Sequence, residues 1–141
     1  MDAAKPGDTV LVSPGTYNEE VNVDVDYLTL KGLGEGAGRP VLDGEKNFTN
    51  GVTATAHHFL MEGFIVRNYR QNGVVVTGVE GVTLRDLFAE NTGEYGLFPV
   101  HSTNVLVENC AATGASDTGI YVGQSRNVVL WGNEAYGNVS G

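Results

Sequence analysis

The sequence holds a single cysteine, Cys110, so no intrachain disulfide can form, and the thiol is expected to pack as a small buried apolar group. Proline is sparse, at 4 of 141 residues. Basic residues are few, 8 against 17 acids, giving a formal net charge of −9. A surface of that sign repels phosphate backbones and argues against nucleic acid as a partner. No stretch reaches the ~20 consecutive apolar residues of a membrane helix, and no membrane span is expected. The first ten residues, MDAAKPGDTV, contain no signal peptide. Helical periodicity is missing throughout, and the glycines would interrupt any helix.

What the chain does have is glycine, 20 residues, about twice the usual share. The glycines recur. Gly51, Gly73, Gly96, Gly119 and Gly141 follow one another at 22 or 23 residues. After the middle three comes a strand-like triplet: VVV from Val74, LFP from Leu97, IYV from Ile120. A second strand begins nine residues after each of these glycines, at Val82, Val105 and Val128, and a small residue follows in phase at Ala89, Ala112 and Ala135. The coil that starts at Gly51 fits less tightly.

Short strands at a fixed period predict an all-β solenoid whose coils stack about 4.8 Å apart. About six coils of 22–23 residues are expected, forming one domain over residues 1–141. Alternation places Val74, Val76, Leu97, Ile120 and Val122 inward on one strand column. Val105, Val107, Val128 and Leu130 are expected inward on the next. Each recurring glycine is expected at a sharp bend where a side chain would clash. A sandwich of hairpins fits poorly, because Asn-Gly and Asp-Gly turn signals are rare and a sandwich need not repeat at this period.

The stretch KPGDTVLVSPGTYNEEVNVDVDYLTLKG, residues 5–32, resembles the opening coil of right-handed parallel β-helix proteins of the pectin-lyase-like class. The second half is similar to the repeats of carbohydrate-binding and sugar-hydrolase β-helices, and most of all to the core of alginate C5-epimerases. Those enzymes carry a Tyr-Gly-x-Asp-Pro-His-Asp motif. Tyr95, Gly96 and Pro99 match it, whereas Phe98, Val100 and His101 replace its two aspartates and its histidine. Epimerisation needs a positioned base and acid, which Phe98 and Val100 cannot supply. The resemblance therefore implies the fold and an association with polysaccharide, but no epimerase activity, and no catalytic residue is assigned.

Five residues are singled out as ligand-binding candidates: Phe98, His101, Asp117, Tyr121 and Gln124. Val75, Phe98 and Tyr121 form one outward column, and stacked aromatics offer a platform for a sugar ring or a packing surface between strands. His101 has inward parity but ends its strand, where a turn can swing it out beside Gln124. Asp24 and Asp26 share a strand face on this reading, and the resemblance to pectate lyases implies calcium as a weak candidate cofactor there; no other metal or cofactor is expected. His57 and His58 would point to opposite faces in a strand and could share one metal only in a turn, and they lack a third ligand and zinc-type spacing, so a structural role is expected. Arg67, Arg70, Arg85 and Arg126 could serve as a lyase base, with no pattern selecting one. GLGEGAG, residues 32–38, lacks the helix a phosphate loop requires and reads as a flexible turn. Asn47 and Asn138 head glycosylation acceptors.

Three functions remain open. One is a polysaccharide-binding β-helix module, extracellular or at the cell surface. Another is a structural solenoid piece without a ligand. The third is a lyase or hydrolase completed by residues beyond 141. MDAAKP reads as the remnant of a cap helix, and the chain is expected to be a fragment of a longer β-helix protein. A solenoid with uncapped terminal coils is expected to associate end to end.

Overall fold

The computed structural model describes residues 4–141. Every strand pair in it is parallel, and residues paired across coils lie one turn of the chain apart. Three faces run the length of the stack. The first is built from Val21–Val23, Val52–Ala54, Val74–Thr77 and Leu97–Val100. The second comprises Thr9–Val12, Thr29–Gly32, the first halves of Phe59–Arg67 and Glu80–Glu90, then Thr103–Glu108 and Arg126–Trp131. The third holds Thr16–Tyr17, Val41–Asp43, the second halves of those two long strands, Ala111–Thr113 and Glu134–Tyr136. The result is a three-sided parallel β-helix of about six coils. Among the described residues, no helix is long and apolar enough to cross a membrane.

The period is strict only in the later coils. Phe59, Val82, Val105 and Val128 pair in succession, 23 residues apart each time. Earlier, Thr9 pairs with Thr29 and Thr29 with Leu60. The longer interval contains residues 33–40, which leave the coil through a 3-10 turn at Gly36–Gly38. This is the glycine-rich stretch expected to be a turn. It is pinned by Arg39, which donates to the Asp86 carbonyl and carboxylate at 2.9 Å each.

Exact register puts like on like. Leu30, Met61, Leu84 and Val107 stack as one buried column. Val52, Val74 and Leu97 form another. Five of the nine predicted inward residues are fully buried: Val74, Val76, Leu97, Val105 and Val107. Ile120, Val122 and Val128 are half-buried, and Leu130 is 51% exposed. Leu130 keeps the inward register, paired with Val107, but among the described residues no coil lies over it. The first face also thins at this end. Leu97 and Ile120 form an isolated bridge, and the position whose N–H would extend it to the Tyr121 carbonyl is Pro99, which has none.

The recurring glycines Gly51, Gly73, Gly96 and Gly119 each stand at a bend where the chain enters the first face, as expected, and none has room for a side chain. A Cβ on Gly73 would lie 2.5 Å from the Gly96 carbonyl oxygen, and one on Gly96 would lie 2.6 Å from that of Gly119. These glycines are needed because the coils pass so close. The other corners are made by columns of residues in the left-handed region. One column is Tyr27, His58, Gly81, Asn104 and Asn127; a second is Gly63, Asp86, Asn109 and Gly132; a third is Asn68, Asn91, Gly114 and Gly137. Asparagine, aspartate and glycine tolerate this backbone best.

Leu84→Ala should lower stability by about 2–5 kcal/mol, and Leu130→Ala by under ~1 kcal/mol, in urea unfolding. Gly96→Ala should destabilise the protein although it removes no contact. Equal effects for the two leucines would show that Leu130 lies under cover.

Candidate functional site

Phe98 and Tyr121 stand on the outer side of the first face, one coil apart. Their rings are near parallel, with centroids 5.5 Å apart and an interplanar angle of 7°. The column runs Asn22, Thr53, Val75, Phe98, Tyr121, so the aromatic part occupies only its last two coils. A third ring completes the cluster. Tyr95, from the loop before Gly96, lies 4.6 Å from Phe98 and 5.0 Å from Tyr121. Tyr121 is 43% exposed, and the other two are half-buried. Three rings at these separations form a continuous apolar ledge with one edge open to solvent.

The loop that carries Tyr95 is held from beneath. Asn72, 7% exposed, accepts the Tyr95 N–H at 3.2 Å and donates to Asn50 Oδ1. Two carboxylates border the ledge. The Asp117 N–H donates to the Glu94 carbonyl, and Thr118 Oγ1 donates to Asp117 Oδ1. Desolvation among the rings, then the Asp117 carboxylate, Tyr121 and Glu94, raise the Tyr95 hydroxyl above its ordinary pKa. It is a protonated donor at neutral pH.

The structure thus brings Phe98, Tyr121 and Asp117 together and adds Tyr95 and Glu94, which were not among the candidates. The signal for Tyr95 was present in the sequence, as an aromatic directly before a coil-spacing glycine. His101 and Gln124 sit apart, at the far end of the same strands. His101 has φ 52 and Gln124 φ 41, in column with Gly78 at φ 68. The left-handed backbone interrupts alternation, so His101 points to solvent despite its inward parity. At roughly 3.3 Å per residue, it lies about 10 Å along the strand from Phe98.

Other candidates have structural partners. The strand that was to carry Asp24 and Asp26 ends at Val23, so the two do not share a strand face, and Asp26 Oδ1 accepts the His57 N–H at 2.9 Å. His57 and His58 lie in a turn rather than a strand. His57 Nδ1 accepts the Glu80 N–H, and the His58 ring stacks on Tyr27 at 4.6 Å. Among the described residues, no group of three or more metal-ligating side chains occurs. Arg67 and Arg85 belong to ion ladders with Asp43, Glu90, Glu62 and Glu108. The Asn138 amide is taken up by Ala112 and Ala115.

The model of the right handed beta helix region matches residues 43–141, more than half of the chain. The chain belongs to the right-handed β-helix family. The ORF18 product of Geobacillus virus E2 superposes with a TM-score of 0.62 at 15% identity, over 89% of this chain and 33% of that one. A pectin methylesterase variant in complex with a hexasaccharide gives a TM-score of 0.54 at 15% identity, over 92% of this chain and 60% of that one. The chain spans a third of the first protein's length and less than two thirds of the second's. The likeness is one of fold. No curated protein matched the sequence.

Cys110 is buried, and burial pushes its thiol pKa up to about 11. A thiol so held is a poor nucleophile at neutral pH. Iodoacetamide at pH 7.5 should label Cys110 only as fast as the protein unfolds; rapid labelling of the native protein would contradict the packing.

Proposed function

We propose that this chain is a carbohydrate-binding β-helix module acting outside the cell, which holds a sugar ring on the Tyr95–Phe98–Tyr121 ledge. The observation that carries the reading is the ring cluster itself, three aromatics within 5.5 Å on an outer face of a rigid stack. An aromatic face offers apolar area to the C–H face of a pyranose, and a Tyr hydroxyl gives a hydrogen bond at its edge. The pectin methylesterase fold, seen with a hexasaccharide, supports the choice of ligand class. Binding rather than cleavage is favoured because Phe98, Val100 and His101 stand where the resembled epimerases carry their acid–base residues.

Glu94 and Asp117 set the preference. Neither forms an ion pair among the described residues, so a ring bearing its own carboxylate meets uncompensated repulsion. Neutral rings are the better occupants. His101 and Gln124 contact only ligands longer than one ring, because they lie about 10 Å away along the strand.

Titration calorimetry against neutral and uronate oligosaccharides tests this. A neutral oligosaccharide should bind, and Tyr121→Ala and Phe98→Ala should each weaken it roughly tenfold, about 1.4 kcal/mol. His101→Ala should weaken an oligosaccharide but not a monosaccharide. Failure of every saccharide to bind a folded protein would leave the structural-solenoid reading in its place.

A further inference from the structure

On the corner between the third and first faces, the chain builds a second concavity, a groove of about 610 Å³. It is distinct from the aromatic ledge in chemistry. Among the described residues no carboxylate lines it, although acids outnumber bases by 17 to 8 in this sequence. Lys46 and Arg70 line it instead. Outside the groove, Lys31, Arg39, Arg67 and Arg85 each have a carboxylate within 4 Å, and Lys5 and Arg126 have none among the described residues. Among the described residues, Lys46 and Arg70 have none. Two unpaired cations thus face one concavity of a strongly acidic molecule.

The remaining walls supply neutral polar groups. Asn68, whose Nδ2 donates to Asp43 Oδ1 at 3.1 Å, and Asn91 project from the left-handed column at φ 63 and φ 55, and Ser116 lines the groove with them. Gly93 keeps the floor low, since a Cβ there would collide with the Arg70 carbonyl of the coil beneath. Thr92 adds an independent sign. It lines the groove at 2% exposure, and its Oγ1 is the one buried side-chain polar atom without a hydrogen-bond partner among the described residues. A buried hydroxyl without a partner is rare in a folded protein and calls for a reason.

We propose that this groove binds a phosphate group, with Lys46 and Arg70 as its charge partners and the Thr92 hydroxyl as a hydrogen-bond donor. Phosphate carries a charge of about −1.5 to −2 at pH 7, which two cations balance, and its several acceptor oxygens suit a mixed set of ammonium, guanidinium, hydroxyl and amide donors. A carboxylate has half the charge and fewer acceptors. The site is independent of the sugar ledge and stands or falls separately from it.

The test is an amide NMR titration of the full chain at low ionic strength. Its probes are sodium phosphate, sodium acetate, sodium chloride and glucose 6-phosphate, at matched ionic strength. Phosphate should shift the amides of Gly93, Gly114 and Ser116 at millimolar concentration, with acetate at least tenfold weaker. K46Q/R70Q should weaken phosphate at least tenfold without changing the rest of the spectrum. Thr92→Val should weaken it at least threefold while the melting temperature holds or rises, an outcome a purely structural hydroxyl would not give. Tighter binding of glucose 6-phosphate than of free phosphate would assign the group to a phosphosugar; equal binding would assign it to the free ion. Shifts that chloride reproduces, or a K46Q/R70Q protein that binds phosphate as tightly as the parent, would overturn the proposal.

Discussion

Backbone hydrogen bonding between successive coils, in unbroken register, is the constraint on which everything else in this molecule depends. Because each strand pairs in parallel with its equivalent one coil away, a residue lies over its counterpart and nowhere else. A residue type that suits one coil must then suit its neighbours. Apolar columns form a continuous core, since Leu30, Met61, Leu84 and Val107 fill one line of sites. The constraint is also unforgiving. Where carbonyls of adjacent coils crowd a Cα, as at Gly73 and Gly96, only hydrogen fits.

The same stacking turns weak surface interactions into ladders. Lys31, Glu62, Arg85 and Glu108 occupy one outward column with alternating charge, and Arg85 reaches both glutamates, at 3.5 and 2.7 Å. The Glu108 hydrogen bond comes first among the causes that raise the Arg85 pKa. Exposed pairs of this kind contribute little singly and more as a network. Aromatics on the first face follow the same rule. Phe98 and Tyr121 lie near parallel because isolated parallel bridges on either side keep them in register, and Tyr95 joins them because the Asn50–Asn72 ladder fixes its loop. A rigid ledge loses little entropy when a ligand settles on it.

Much of the architecture was legible in the sequence. The 23-residue recurrence of Gly73, Gly96 and Gly119, with Val82, Val105 and Val128 behind them, was enough for a stacked solenoid and for most of its core. The corners away from Gly51, Gly73, Gly96 and Gly119 were not legible as corners. His58, Asp86, Asn104 and His101 adopt left-handed backbone because coil geometry demands it, and only the column as a whole reveals the pattern. Alternation alone would turn His101 inward; its place at the strand end was the cue that a turn swings it out, as it does. Leu130 was assigned by parity, which was right, and by burial, which also depends on a covering coil. Arg70 lies in a loop, where no period of two or three residues says which way a side chain turns. Lys46 comes from a coil whose spacing departs from the repeat, so its meeting with Arg70 had no sequence signature.

The stacked register sets Tyr95, Phe98 and Tyr121 side by side as one ledge, proposed above to hold a sugar ring. Saturation-transfer NMR with a neutral oligosaccharide measures this most directly. Irradiating the ring protons of these three residues should transfer saturation to the C–H face of the sugar, and the amides of Tyr95, Phe98 and Tyr121 should shift together. Transfer that arises from any other face, or a bound sugar that leaves these three residues unperturbed, would contradict it.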